Sequence, residues 1–419
     1  NCDKKMKHII NLEKMNIKQR LTALNFLEFA IWGSWLLTTG GYAKTVLNFT
    51  GVQIGSLYAT LGIASVFMPP LLGILADKWL EAKKVFSLCH LTSGFVFLRL
   101  AQCTTYNEFY LFFLIGSLLY MPTLGLNNAM SYAILEKNSF DPIKAFPKIR
   151  VWGTVGFILA AWIVDFLDFE FSNKQFYLTV ILSFMLAIYA LTLPKIATAK
   201  TAKKSWISYF GLDAFYLLKQ RNLLIFLCYS VLIGAALQIT KIWGVPFLND
   251  FKLEYPDSFA VNNSVLLLSL SQISEVFFIL IIPYFLKKFG IKKIVLLSTL
   301  AWVFRFGLFS VGAPEGIGLV FIISSMVIYG MAFDFYFISG SLYINQRVDK
   351  KISASAQGLY MTAINGLGAI IGAYASGYVI DFFVENNRKQ WPEIWMTFAL
   401  YALVIGMIFL FVFKDKPRK

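Results

Sequence analysis

The sequence predicts an all-α polytopic membrane protein with twelve transmembrane helices in two six-helix halves. Three observations carry this. The 419 residues are 58% hydrophobic and 15% charged, with a mean hydropathy of +0.65, whereas a soluble domain has roughly 25% charged residues. The apolar residues form long runs, each near the ~20 residues a helix needs to cross a bilayer. One long polar break divides these runs six and six. The runs are too long for barrel strands and lack strict alternation, which leaves helices as the spanning element.

The runs follow in order. The first, 21–43, carries Glu28. The second, 52–76, contains Pro69-Pro70 and gives way to a basic turn. The third, 85–104, holds Arg99 and a solitary His90. The fourth, 109–135, contains Pro122, the fifth, 149–167, opens on Arg150, and the sixth is 174–193. The seventh, 222–248, carries Lys241 and, near its outer end, Pro246. The eighth, 261–286, carries Glu275 and Pro283, the ninth, 292–312, carries Arg305, and the tenth, 317–346, carries Asp334. The eleventh, 352–383, is rich in small residues (Gly358, Gly366, Gly368, Gly372, Ser376, Gly377) that let backbones approach closely. The twelfth is 391–413. Prolines within spans should bend or break them. The expected layout is a cytoplasmic N-terminal segment 1–20, a six-helix bundle 21–194, a cytoplasmic linker 195–221, a second bundle 222–413 and a cytoplasmic tail 414–419. Residues 1–20 are polar and basic, and Ile9, Ile10, Leu12 and Ile17 suit either a short interfacial helix or a disordered tail.

The net charge of +15 is a matter of topology rather than nucleic-acid binding. Lys and Arg concentrate in the N-terminal segment, the C-terminal tail and the even-numbered connections. Only Lys44, Lys174, Lys252, Arg388 and Lys389 fall in the odd ones. The positive-inside rule therefore places both termini in the cytoplasm, and anionic lipid is the expected polyanionic neighbour. The four cysteines show no paired spacing, so no disulfide framework, metal site or cofactor is implied. No Gly-Lys-Ser/Thr phosphate loop and no nucleophile or metal cluster is visible, which argues against an ATP-driven pump and against an enzyme.

Charges inside apolar spans are expensive and mark function. Glu28, Arg150, Lys241, Glu275, Arg305 and Asp334 are such charges. Helical spacing places Arg150, Thr154 and Phe157 on one face of the fifth span, Gln238 with Lys241 in the seventh and Gln272 with Glu275 in the eighth. Tyr329, Phe333 and Asp334 share a face of the tenth. Arg305 reads as a helix tie rather than a site residue. A glutamine suits the edge of a heteroaromatic base, aromatic rings offer stacking faces, and carboxylates accept bonds from vicinal hydroxyls. A nucleoside needs all three; a sugar needs two, so the chemistry alone stops at a neutral polar solute.

Each half repeats a basic turn between its second and third spans: Gly73-Ile-Leu-Ala-Asp77-Lys78-Trp79 through Lys84, and Pro283 through Lys293. Six plus six with a cytoplasmic linker is the layout of transporters whose halves rock about a central site. The Gly73, Asp77 and Lys78 motif resembles the loop signature of the major facilitator superfamily, where it latches cytoplasmic helix ends; a plain topology-fixing turn is the alternative. Further runs carry a closer resemblance: Phe29-Ala-Ile-Trp32-Gly33-Ser34-Trp35, Tyr120-Met-Pro122-Thr-Leu-Gly125-Leu-Asn127, Ile149-Arg150-Val-Trp152-Gly153-Thr154-Val-Gly156-Phe157, Leu237-Gln238-Ile-Thr240, Ser271-Gln272-Ile-Ser-Glu275 and Ala332-Phe333-Asp334-Phe335. From about Met15 to the last span the chain resembles the bacterial nucleoside:proton symporters of that superfamily.

The resemblance implies a proton-coupled nucleoside carrier of the cytoplasmic membrane; a monomer without a cofactor is the expectation beside it. It places Arg150, Thr154, Phe157, Gln238, Gln272, Glu275, Tyr329, Phe333 and Asp334 at the nucleoside, and Lys241 stands among them. The chain departs from the family pattern in three places: Lys241 replaces an expected asparagine, Glu28 a glutamine and Ala236 a glutamate. Lys241 and Glu28 are expected to pair. The candidate proton carriers are Asp334 and Glu275, then Glu28. The rival readings are a proton-coupled sugar carrier or drug exporter of the same fold, and a channel or non-transporting receptor.

Overall fold

The structure is a computed structural model and describes residues 2–78, 81–194, 218–348, 353–386 and 388–413. Its elements are almost entirely helical: α1 (Cys2–Gly33), α2 (Thr39–Thr45), α3 (Gly51–Lys78), α4 (Ala82–Leu100), α5 (Tyr106–Lys137), α6 (Pro142–Phe166) and α7 (Lys174–Thr192), then α8 (Arg221–Asn249), the short α9 (Phe259–Asn262) and α10 (Ser264–Leu268), α11 (Leu270–Ser310), α12 (Gly316–Arg347), α13 (Ser353–Met361), α14 (Ala369–Phe382) and α15 (Trp391–Val412). A π-helical turn, Thr362–Gly368, joins α13 to α14. The strands Val384–Glu385 (β1) and Arg388–Lys389 (β2) pair antiparallel.

Among the described residues ten helical segments are long and apolar enough to cross a membrane, so the chain is a multi-pass membrane protein. Two further long helices stand where the first and third spans are expected. They are less apolar because α1 carries Lys18, Arg20 and Glu28, and α4 carries Lys83, Lys84 and Arg99. Together these segments fit the expected twelve. α11 is two of them, joined at Gly290, whose φ of 74° breaks the helix inside the expected basic turn; only glycine adopts that conformation readily.

Two sequence expectations change. The first span is not one helix: α1 stops at Gly33, residues 34–38 form a turn, and α2 resumes at Thr39. Ser34 bonds its hydroxyl to Thr179 and to the Ile31 carbonyl there, so side chains satisfy what the broken ladder leaves open. The N-terminal segment is neither a separate interfacial helix nor a disordered tail, because α1 runs unbroken from Cys2. Most of the linker, 195–217, and the tail, 414–419, lie outside the described residues.

The residues group into two compact units, Asn1–Thr39 with Phe67–Lys203, and Gly40–Val66 with Lys204–Lys419. The stretch 40–66 thus belongs with the second unit. In unit 1, α1 lies directly on α6: a methyl on Gly156 would come 2.2 Å from the Phe26 carbonyl, and one on Gly33 2.1 Å from that of Phe157. α4 bonds to the end of α7, where Lys83 donates to the Leu193 carbonyl at 2.8 Å and Ser87 to that of Ala187 at 2.7 Å. A basic group suits a helix C-terminus.

Unit 2 uses its small residues the same way. A methyl on Gly234 would meet the Ile364 carbonyl at 2.3 Å, and one on Gly372 that of Ala235 at 2.5 Å. The N-terminal half of α3 packs on α14 through Gly55 against Ala373 and Gly377 against Gly51. Of the expected small-residue series, Gly358 alone faces open space.

Candidate functional site

In unit 1, α6 presents Arg150, Thr154 and Phe157 at the expected spacing. The Arg150 guanidinium stands 3.7 Å from the Phe29 ring centroid, a close cation–π contact. Trp32 connects the set: its ring centroid lies 6.0 Å from Phe29, 6.3 Å from Tyr120 and, edge-on, 6.2 Å from Phe157. Thr154 is half-buried one turn along from Arg150.

Behind the aromatic set lies a polar knot that the sequence did not reveal. Glu28 Oε2 is 2.8 Å from His90 Nε2, with both side chains fully buried. Thr123 donates to Glu28 Oε1 at 2.7 Å, and the Tyr120 hydroxyl donates to the Glu28 backbone carbonyl at 2.6 Å. One turn away, Asn127 donates to Asn25, which itself donates to Ser131. His90 is therefore not solitary. Its partner sits on α1 and theirs on α5, and no spacing along one helix announces a contact among three.

In unit 2 the polar faces of α8, α11 and α12 converge. Tyr329 and Phe333 stack at 6.0 Å with their planes 14° apart, and Phe337 follows at 5.1 Å. Arg305 stands 4.5 Å from the Tyr329 ring centroid, donates to the Ser325 carbonyl at 2.6 Å and reaches the Ser271 hydroxyl at 3.4 Å. It ties helices together, as expected, but it also forms one wall of the charged cluster. Glu275 is the hub: it hydrogen-bonds the Tyr329 hydroxyl and acts electrostatically on Lys241, Arg305 and Asp334. Asp334 is buried, and its Oδ2 has no hydrogen-bond partner among the described residues. Gln238 is buried on α8 one turn before Lys241. The Gln272 amide, in the orientation its surroundings favour, donates to the carbonyls of Leu268 at 3.2 Å and Ser269 at 3.3 Å.

Glu28 and Lys241, which the sequence suggests as a pair, each meet a titratable group within their own unit. Glu28 is held by His90 and Thr123 inside unit 1, and Lys241 acts on Glu275 inside unit 2. Gly73, Asp77 and Lys78 lie on the α3 backbone, their side chains outside the described residues.

The sequence profile described as Nucleoside H+ symporter matches residues 15–418. The chain belongs to that family. The xanthosine permease of Escherichia coli (strain K12) is 47% identical over 403 residues, 96% of each chain. The nucleoside permease NupG of the same organism is 45% identical over 405 residues, 96% of this chain and 97% of that one. The crystal structure of the nucleoside transporter NupG superposes with a TM-score of 0.91, covering 96% of this chain and 100% of that one at 45% identity. A D-xylose–proton symporter, 15% identical, shares the fold at a TM-score of 0.70, covering 96% of this chain and 98% of that one. The symporter is thus a secondary transporter of the major facilitator type and, like its permease relatives, not an enzyme.

Proposed function

We propose that the protein carries neutral nucleosides into the cell across the bacterial cytoplasmic membrane, coupled to protons, by alternating access with both termini cytoplasmic. The observation that supports this most is the unsatisfied Asp334 carboxylate, buried beside Glu275 and next to the Tyr329–Phe333 stack. An acceptor buried without a donor is costly. Ribose hydroxyls supply donors, and the stack supplies a face for the base. Gln238 and Gln272 read the base edge, and in unit 1 Arg150, Thr154 and Phe157 offer a cation, a hydroxyl and a ring to a nucleoside. Phosphates are disfavoured because Lys241 and Arg305 are already balanced by acids.

Proton coupling follows from the same cluster. Glu275 and Asp334 repel each other, while Lys241 and Arg305 offset them. A proton gained by either acid resets this balance. Proton and substrate then bias the same inward–outward equilibrium, which is what symport requires. Thermal-shift measurements on purified protein with nucleosides, free bases, sugars and nucleotides test the substrate class. Stabilisation by nucleosides beyond that by their monophosphates or by sugars is expected, and the reverse order contradicts the proposal.

A further inference from the structure

The Glu28–His90 contact has no role in the nucleoside site proposed above, yet it is a titratable pair sealed inside a transporter. Glu28 Oε2 and His90 Nε2 lie 2.8 Å apart, within reach of a shared hydrogen, and neither has another hydrogen-bond partner among the described residues. Glu28 Oε1 is already satisfied by Thr123, and the Tyr120 hydroxyl is spent on the Glu28 backbone carbonyl. The charge on the carboxylate is therefore settled between Oε2 and the imidazole. With one proton the pair is a carboxylate bonded to a neutral imidazole. With two it is neutral overall, and the change is confined to two atoms that already touch. His90 Nδ1 is likewise buried and without a hydrogen-bond partner among the described residues.

The surroundings connect this pair to the first unit's aromatic set. Cys89 on α4 and Tyr120 on α5 both feel the charge of Glu28, and Tyr120 also feels that of Arg150 on α6. α7 meets α1 through Thr179 on Ser34 and Gln175 on Thr38, none of which titrates. Glu28 thus offsets the Arg150 charge across Tyr120 when the pair holds one proton, and the offset disappears when it holds two. Arg150 lies on the Phe29 ring beside Trp32 and Phe157, so the occupancy of the pair is felt where the first unit meets its substrate.

We propose that Glu28 and His90 form a second proton-binding site in unit 1, loaded and emptied during the transport cycle in addition to the Glu275–Asp334 pair. This rests on the reading that the chain couples nucleoside to protons. The test is the proton-to-nucleoside ratio, read from reversal potentials in proteoliposomes for the wild type, Glu28→Gln and His90→Gln. Exchange of labelled for unlabelled nucleoside reports that each variant is folded. The wild type is expected to move more than one proton per nucleoside. Each variant is expected to retain exchange but to move one proton fewer, so that its accumulation falls by about tenfold per unit of imposed pH gradient. An exchanging variant with the wild-type ratio overturns the proposal, since a purely structural tie leaves the ratio unmoved. A wild-type ratio of one overturns it with no variant at all. No nucleoside flux in the wild type would instead defeat the coupling reading itself.

Discussion

The carboxylate of Asp381 accepts the backbone N–H of Gly51 at 2.6 Å, and its other oxygen accepts that of Val52 at 2.8 Å. Gly51 is the first residue of α3, and the first N–H groups of a helix have no partner within it. A side chain at the far end of α14 thus caps a helix that begins 330 residues earlier. The fit also explains the glycine: a methyl on Gly51 would come 2.5 Å from Asp381 Oδ1. Asp381→Ala should destabilise the protein by about 1.5–3 kcal/mol, the range for hydrogen bonds to charged groups, and Asp381→Asn by less, because its amide oxygen still accepts one of the two. Thermal unfolding of the purified variants measures both.

Lys389 on β2 makes the second such tie on unit 2, bonding Asp250, which also accepts the Trp391 indole N–H at 2.9 Å. Burial lowers the pKa of the Lys389 ammonium and Asp250 opposes that shift. The unfolded chain keeps its proton up to the ordinary 10.5 while the native protein releases it earlier. Stability contributed at this site therefore rises with pH across that window. Asp250→Asn removes the opposing charge, so the variant should lose stability at neutral pH and regain more of it than the wild type as pH rises. Unfolding midpoints across the alkaline range check this; parallel profiles would contradict it.

Lys241 and Glu275 should be energetically coupled. A double-mutant cycle of Lys241→Asn with Glu275→Gln, read by thermal stability, is expected to give a coupling of about 0.5–3 kcal/mol. Strict additivity would separate them.

Phe333→Ala and Gln272→Ala should each weaken nucleoside binding by about 1–3 kcal/mol, one by losing a stacking face and the other an amide partner. Calorimetry on the two variants measures it, and wild-type affinity in both would move the ligand elsewhere.

Much of the fold was legible because the bilayer sets a length that apolar runs must meet, and because Gly290 and its flanking lysines mark a break no span can tolerate. The second unit's cluster was legible for a local reason: Gln272 and Glu275, or Tyr329 and Asp334, share a helix face, and spacing along one chain segment reveals that. The Glu28–His90 pair was not legible, since its members and Thr123 come from three helices that only tertiary packing brings together. The interruption after Gly33 was hidden as well. Residues 34–38 are as apolar as their neighbours, and it is the Ser34 hydroxyl, a side chain compatible with an unbroken span, that satisfies the turn.

The central claim is that protons drive nucleoside uptake through the Glu275–Asp334 cluster. Its most direct test is accumulation of labelled nucleoside in proteoliposomes under an imposed inward proton gradient, for the wild type, Asp334→Asn and Glu275→Gln. The wild type should concentrate nucleoside above the external level and lose it when a protonophore is added. Neutralising the coupling acid should abolish accumulation while slower exchange of labelled for unlabelled nucleoside persists. Wild-type uptake that only equilibrates at every gradient, or undiminished accumulation by both variants, would contradict the account.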